Sequence, residues 1–424
     1  MPRTQSVAIV GAGWSGLAAA VQATLDGHAV TLFEMARHCG GRARDVEIDG
    51  MRMDNGQHIM IGAYTEVLRL MKIVGAHADP LLLRTPLEIR DASGAGLALR
   101  PGPPLMALAL AVARHGTWRW RDKFALIAEA TRWAVQRFDC PATLDVATLT
   151  RRLPHNIRSE LIDPLCVAAL NTPSGQASAR VFLRVLRDAL FAAPGSSDLL
   201  LPRAGLSAIF PEPALQWLRG RGAVIHASTR VGELRPDGAS WWVDGQRFDR
   251  VVLAATPSEA ARLAGPHAAP WAQLARNLPF EPIVTVYARC PQARLPRPML
   301  ALESDADKPA QFVFDRGQLG GPEGMLAFVI SGASVWVDRG AANTTQACLA
   351  QAAHALRQWL PGPLHPVQVL TEKRATFRCI PNLERPPMQI AAGLCAAGDY
   401  VAGPYPATLE GAVRSGVNAV HALS

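Results

Sequence analysis

The sequence predicts an α/β fold in which strand–turn–helix units feed a parallel sheet and a second, more helical region is inserted between them. Three observations carry that prediction. The chain opens on strand, glycine turn, helix and strand within residues 6–34; a stretch rich in Leu, Ala and Val follows at 85–200; and near the C-terminus a buried strand runs into Gly398-Asp399 before a last helix.

Residues 6–10 are a short apolar, β-branched run. Gly11-Ala12-Gly13-Trp14-Ser15-Gly16 follows at once, and residues 17–25 continue with small and apolar residues at helical spacing. Residues 29–33 read as a second buried strand ending in Glu34, eighteen residues after Gly16. This is the dinucleotide fingerprint in its strand–turn–helix context. Gly11 permits the tight turn, Gly13 lets backbone approach a pyrophosphate, Gly16 lets helix pack on strand, and Glu34 can accept both hydroxyls of an adenosine ribose. The helix start, with Ala12 and Ser15 in the same turn, offers N–H groups to the phosphates. The competing reading is a glycine turn in an ordinary α/β unit; the flanking strands and the spaced acid favour the ligand.

Composition bounds the rest. At 424 residues the chain exceeds what one core usually serves, so about two intertwined domains are expected. With 49% hydrophobic and 18% charged residues it is slightly apolar, yet it has no run long enough to cross a bilayer, and the longest candidate, 104–113, is too short. The first strand begins within a few residues of Met1, so no secretory leader is expected. Seven scattered cysteines without a CxxC pair read as reduced thiols in a cytoplasm, not as a disulfide framework or a zinc cluster, and no metal is expected. A net charge of +8 without a lysine-rich tail or an aromatic platform fits an anionic membrane surface or a phosphate ligand, and no nucleic acid.

After Glu34 comes Gly40-Gly41-Arg42, a flexible turn with a cation that can aim at a phosphate, or else a loop with a solvated arginine. Here the chain resembles the flavin-containing amine oxidase and phytoene desaturase superfamily, in which GGR continues the FAD fingerprint. The resemblance implies that the cofactor is FAD. Residues 53–64 include Asp54-Asn55-Gly56-Gln57-His58 and end in Tyr64, and a helix is expected over 66–74. Their wording, DNGQHIMIGAY, is similar to the hydroxysqualene dehydroxylase family, also described as squalene-associated FAD-dependent desaturases. By that resemblance Gly56, Gln57 and His58 lie beside the isoalloxazine ring; the bland alternative is that Gln57 and His58 only hydrogen-bond the turn.

Residues 114–138 place Trp118, Trp120, Phe124, Ile127 and Trp133 among Lys and Arg residues, and the later part has helical periodicity. Such a helix can lie at a lipid interface or simply present a core face. The LNTP run at 170–173 breaks one helix, and 179–190 reads as the next; both resemble the dehydroxylase family. A helical cap of this composition suits a long hydrocarbon, which offers only apolar surface for binding. From 199 the chain returns toward the cofactor through a helix at 208–219 and strands near 223–225, 231–234, 241–243 and 250–255, and the resemblance brings the Val231 backbone to the adenine. Strands at 283–287 and 326–330 belong to a second sheet, with turns at 317–324 and 361–366. Residues 373–377 also resemble the dehydroxylases, without an assigned chemistry.

The strand at 394–397 runs into Gly398-Asp399, and the helix after Pro406 carries Leu409, Glu410 and Gly411. Asp399 can hold the ribityl chain or a bridging water, and the helix N-terminus can direct its N–H groups at the ring. Residues 400–405, YVAGPY, depart from the more polar, threonine-bearing loop of the family.

The resemblance thus implies a Rossmann-like FAD-binding domain of the amine oxidase and glutathione reductase type (1–84, 200–257, 380–424). An interleaved α+β substrate domain with a helical cap takes 85–199 and 258–379. It implies reductive dehydroxylation of hydroxysqualene to squalene, a precursor of hopanoids and triterpenoids: the alcohol is protonated, water departs, and hydride from reduced flavin meets the allylic-type cation. His58 is the first candidate for proton donor or water-network member, with Tyr64 and Tyr405 behind it. Expected partners are a long isoprenoid substrate and an electron donor of unidentified nature. The expected place is the cytoplasm, with peripheral contact at the inner face of the membrane. The rivals are an oxidative carotenoid or phytoene desaturase and a non-enzymatic isoprenoid-lipid carrier. An amine oxidase, which calls for an aromatic cage, is weaker with four tyrosines.

Overall fold

The computed structural model describes residues 4–48 and 50–423; residues 1–3, 49 and 424, which the domain assignment and the reading of the chain's start include, lie outside the described residues. Ser6–Val10 sits inside a six-stranded sheet ordered Val224–His226, Ala29–Phe33, Ser6–Val10, Arg250–Leu253, Leu394–Ala396, Gln389–Ala391. The first five strands run parallel and the last closes the edge antiparallel. Parallel strands covered on both faces read as continuous apolar runs, as Val7 to Val10 do. The register sets Val10 opposite both Phe33 and Leu253, so three strand ends share one edge, where ligands of open α/β sheets bind.

The helix Trp14–Leu25 starts earlier than the periodicity suggests, because the last turn of the fingerprint is already helical. It packs against the terminal helix Leu409–His421. A Cβ at Gly416 would stand 2.1 Å from the Ser15 carbonyl oxygen, so the close approach of these two helices requires glycine there.

A second sheet is wholly antiparallel, in the order Met299–Ala301, Phe312–Asp315, Met325–Ile330, Phe280–Arg289, His365–Phe377. The expected strands at 283–287 and 326–330 are adjacent among its three inner strands, and the expected turn at 361–366 ends early because the last strand begins at His365. A three-stranded sheet of Met60–Ile61, Leu199–Pro202 and Leu82–Thr85 joins the two halves. The expected domain limits at 84/85 and 199/200 both fall inside it.

Two expected helices are split. The stretch 114–138 gives the end of Pro104–Arg114, a break, and Trp120–Val135, whose start is set by the Arg119 N–H donating to Asp122 Oδ2 at 3.3 Å. The stretch 208–219 becomes Leu206–Ile209 and Pro211–Arg219, because Pro211 has no N–H to continue the first helix. The strand expected at 231–234 begins at Leu234, leaving Val231 in the loop before it.

Candidate active site

The glycines of the fingerprint divide into two kinds. Gly11 has φ +107°, its N–H donates to the Phe33 carbonyl at 2.7 Å, and a Cβ there would meet Ala254 O at 2.5 Å. At Gly16 a Cβ would stand 1.8 Å from Gly11 O. The protein's own packing therefore demands both. At Gly13 the nearest protein atom to a Cβ would be Gly41 Cα at 3.9 Å, so that stretch of bare backbone opens onto the cavity. Glu34 Oε2 accepts from Ala12 N at 2.7 Å and Oε1 from Ala36 N at 2.8 Å, and its side chain lines the same cavity. A carboxylate has further acceptor sites for ribose hydroxyls beyond these two.

The cavity, of about 770 Å³, brings together Gly11, Gly13, Ser15, Glu34, Gly41, Arg42 and Val231 with Gly56, Gln57, His58 and Tyr64. Gly398, Asp399, Tyr405, Leu409 and Glu410 complete the set. Ala12, Gly16 and Gly411 stand behind this lining, and for Gly16 that is the packing position expected of it. Ala12 is fully buried and donates to Glu34, Gly16 lies against Gly11, and the Gly411 N–H is taken by Thr408 Oγ1 at 3.0 Å. The Val231 carbonyl accepts from Arg262 Nη2 at 2.6 Å, which leaves its N–H as the backbone group without a protein acceptor among the described residues.

Arg42 differs from the expectation of a cation aimed at a phosphate. Its Nη2 donates to Asp399 Oδ1 at 2.6 Å and its Nη1 to the carbonyls of Ala375 at 2.7 Å and Arg374 at 3.1 Å. The carboxylate and two strand carbonyls together outcompete solvent for a planar five-donor group. This also explains residues 373–377, whose backbone receives Arg42.

His58 Nδ1 lies 3.0 Å from Gly56 O, and because a carbonyl only accepts, Nδ1 carries the proton. Burial lowers its pKa, opposed by the bond to Gly56 and reinforced by Arg42. The ring is therefore neutral near pH 7, with Nε2 an acceptor. The turn-bonding alternative for His58 is realised, and Gln57 Oε1 accepts from Arg316 Nη1 at 2.9 Å. Burial and then the Glu410 charge raise the pKa of Tyr64, so its phenol keeps its proton. Tyr405 Oη accepts from Arg184 Nη2 at 3.1 Å, which leaves its own O–H free to donate.

The helix Leu409–His421 is capped by Thr408, and the N–H groups of Leu409 and Glu410 have no acceptor among the described residues, so the positive end of the helix is open. The Glu410 carboxylate turns the other way. It accepts from the Glu66 and Val67 N–H groups at 3.0 Å each and from Arg414 Nε at 2.7 Å, capping the helix Thr65–Ile73. A role at the cofactor is left to its backbone.

Two residues escaped the sequence reading. The Tyr400 hydroxyl is buried with no hydrogen-bond partner among the described residues and lines the cavity, and burial raises its pKa, so it stays a phenol. Its place directly after Gly398-Asp399 was the available signal. Asn171, of the LNTP run, closes the helix Asp163–Leu170 in the left-handed conformation at φ +49°. Its Nδ2 donates to Thr376 Oγ1 at 2.9 Å and its Oδ1 accepts from Gly332 N at 2.7 Å, clamping the cap to the antiparallel sheet at the cavity wall.

Beyond the turn at 56–58 the cavity is walled by one face of that sheet, including Ile283, Met299, Phe312, Phe314, Val329 and Leu370. Bare backbone at Gly13, an open helix end and an unpaired phenol form a cradle that fits a flavin dinucleotide. Among the described residues no group of His, Cys, Asp and Glu is placed to hold a metal ion.

The fold and this cradle define a flavoprotein oxidoreductase, and the chain belongs to the flavin-containing amine oxidoreductase family, whose model matches residues 14–424. Its cofactor is FAD. Within the curated relatives, the hydroxysqualene dehydroxylase of Sinorhizobium fredii is 27% identical over 98% of this chain and 97% of its own. The zeta-carotene desaturase of Zea mays is 41% identical, but over only 18% of this chain and 14% of its own. Among solved structures, an oxidoreductase from Methanosarcina mazei shares the fold with a TM-score of 0.75 at 15% identity, over 98% of this chain and 100% of that one.

Proposed function

We propose that this enzyme removes the hydroxyl of hydroxysqualene to give squalene, taking up one hydride and one proton (two electrons and two protons in all) and releasing water. The observation that carries the reading is the continuity of one cavity from the dinucleotide cradle to the apolar sheet face, since a long hydrocarbon can be held only by burial of its surface. Whole-length similarity to a dehydroxylase, against a short match to a carotenoid desaturase, favours reduction over polyene oxidation. When bound and reduced, FAD supplies the hydride.

The chain's residues do the rest. Gly11, Gly13 and Glu34 hold the adenosine end, with the Val231 N–H at the adenine, while Asp399, positioned by Arg42, holds the ribityl end. The apolar sheet face excludes water, so that the carbon left by the departing oxygen meets no competing nucleophile. Tyr405, with Arg184 donating to its oxygen, gives the proton to the leaving hydroxyl; Tyr64 and Tyr400 are the other phenols within the cavity. His58, neutral and with Nε2 an acceptor, orients the water that forms.

The test is anaerobic. Dithionite-reduced enzyme is mixed with hydroxysqualene while flavin absorbance and product are followed. Reoxidation with squalene appearing supports the reading. A flavin that stays reduced and yields no squalene overturns it.

A specific observation favours peripheral membrane contact. Trp118 and Trp133 point into the core, but Trp120, Phe124 and Ile127 are 65%, 66% and 44% exposed on one stripe of Trp120–Val135, flanked by exposed Arg119 and Arg121. No helix among the described residues is long and apolar enough to cross a membrane. The stripe rests on an anionic bilayer from which an isoprenoid substrate can enter. Flotation with anionic and neutral vesicles tests this, and binding unchanged in Trp120→Ser/Phe124→Ser would reject it.

A further inference from the structure

The register of the antiparallel sheet sets Ala301, Phe312, Val329, Thr285 and Leu370 side by side, and Thr285 is the polar member of that row. It is 1% exposed, it lines the cavity, and its Oγ1 has no hydrogen-bond partner among the described residues. An unmade hydrogen bond at a buried hydroxyl is destabilising, and a valine of nearly the same shape would avoid that cost. The position of Oγ1 is specific as well: a Cβ on Gly56 would stand 3.5 Å from it. The hydroxyl thus lies where the turn at 56–58 meets the apolar wall, flanked along its strand by Ile283, which lines the cavity too.

We propose that Thr285 Oγ1 is the hydrogen-bond partner of the hydroxyl on a long-chain hydrocarbon alcohol. It fixes the carbon–oxygen bond at the cofactor end of the cavity and makes the site prefer the alcohol to the parent hydrocarbon. The inference rests on the dehydroxylation reading. The alcohol satisfies the threonine hydroxyl as donor or acceptor; the hydrocarbon product leaves it unpaired and is bound more weakly, which favours product release. No bond to Thr285 is made or broken in the reaction, so it is a positioning and specificity residue.

The experiment compares dissociation constants of hydroxysqualene and squalene for the oxidised, FAD-loaded enzyme, which cannot turn over, in the wild type, Thr285→Val and Thr285→Ser. FAD content and visible spectrum are recorded for each. The expected result is that Thr285→Val lowers the preference for the alcohol about tenfold, mostly through weaker alcohol binding, that Thr285→Ser restores most of it, and that FAD content is unchanged. A preference unchanged in Thr285→Val overturns the proposal, as does a loss of FAD or a shifted spectrum, which would place the hydroxyl at the cofactor. A wild type that binds the alcohol through Thr285 but forms no squalene when reduced overturns the reaction and leaves the site standing. Squalene formation with an unchanged preference overturns the site alone.

Discussion

Arg42 and Asp399, 357 positions apart in the chain, meet at 2.6 Å between Nη2 and Oδ1. The pair ties the turn after the second strand to the end of the fifth, and Arg42 reaches on to the Ala375 carbonyl of the antiparallel sheet. One side chain therefore couples both sheets at the cavity. Arg42→Ala leaves Asp399 and two carbonyls without their donor, and FAD affinity is expected to fall by about 2 kcal/mol, roughly thirtyfold. Arg42→Lys recovers only part, because a single ammonium cannot serve three acceptors in a fork. Fluorimetric titration of apoenzyme with FAD reads both.

Gly13 and Gly16 are expected to fail in different ways. Gly16→Ala drives a Cβ into Gly11 O, 1.8 Å away, and should abolish soluble folded protein. Gly13→Ala meets nothing in the protein closer than 3.9 Å, so the apoenzyme should keep its melting temperature while FAD affinity drops about tenfold or more. Circular dichroism melts alongside FAD titration separate the two. Equal losses of fold in both variants would contradict the cradle.

Glu410 acts on the helix Thr65–Ile73. Glu410→Ala strips the acceptor from two N–H groups and from Arg414 at a site 1% exposed, a loss of about 3 kcal/mol in stability. Because the carboxylate does not face the cofactor, the loss should be the same in the apoenzyme and the holoenzyme, measured by denaturant unfolding of each.

Asp54 makes stability depend on pH. Burial pushes its carboxyl up to about 7 from 3.8, opposed by Arg316 and the Leu206 N–H and aided by the cross-strand neighbour Asp45. The folded state thus favours the protonated form, so the contribution to stability is full below the unfolded pKa and is lost as pH rises through about 7. Asp54→Asn keeps a neutral group that can still accept from Leu206 N and donate to Asp45. Its melting temperature relative to wild type should be higher at pH 8 than at pH 5 by about 2 °C. A pH-independent difference would show that Asp54 does not titrate in this range.

The cofactor half was legible because its constraints are local. A tight turn, a close helix and a ribose acid fix residue types at fixed spacing, so Gly11, Gly13, Gly16 and Glu34 could be read from a short window. The split helices at 115–119 and at Pro211, and the strand shifted to Leu234, were less visible, since helical periodicity survives a short break. The substrate half was barely legible. Thr285 is one threonine within a β-branched run, and only the pairing with Val329 and Leu370 shows that it is a lone hydroxyl in an apolar wall.

The sequence by itself determined the dinucleotide fold and the apolar character of the second region, because each is a matter of composition and near-neighbour spacing; that the dinucleotide is FAD was implied by the family resemblance of Gly40-Gly41-Arg42. The tertiary structure alone decided which way the polar side chains point. Arg42 turns to Asp399, Glu410 to the helix Thr65–Ile73 and Gln57 to Arg316, while Tyr400 and Thr285 keep hydroxyls in the cavity without partners among the described residues. Hydrogen-bond partners come from strands hundreds of residues apart, and a buried polar group takes whichever acceptor the fold brings within 3 Å of it.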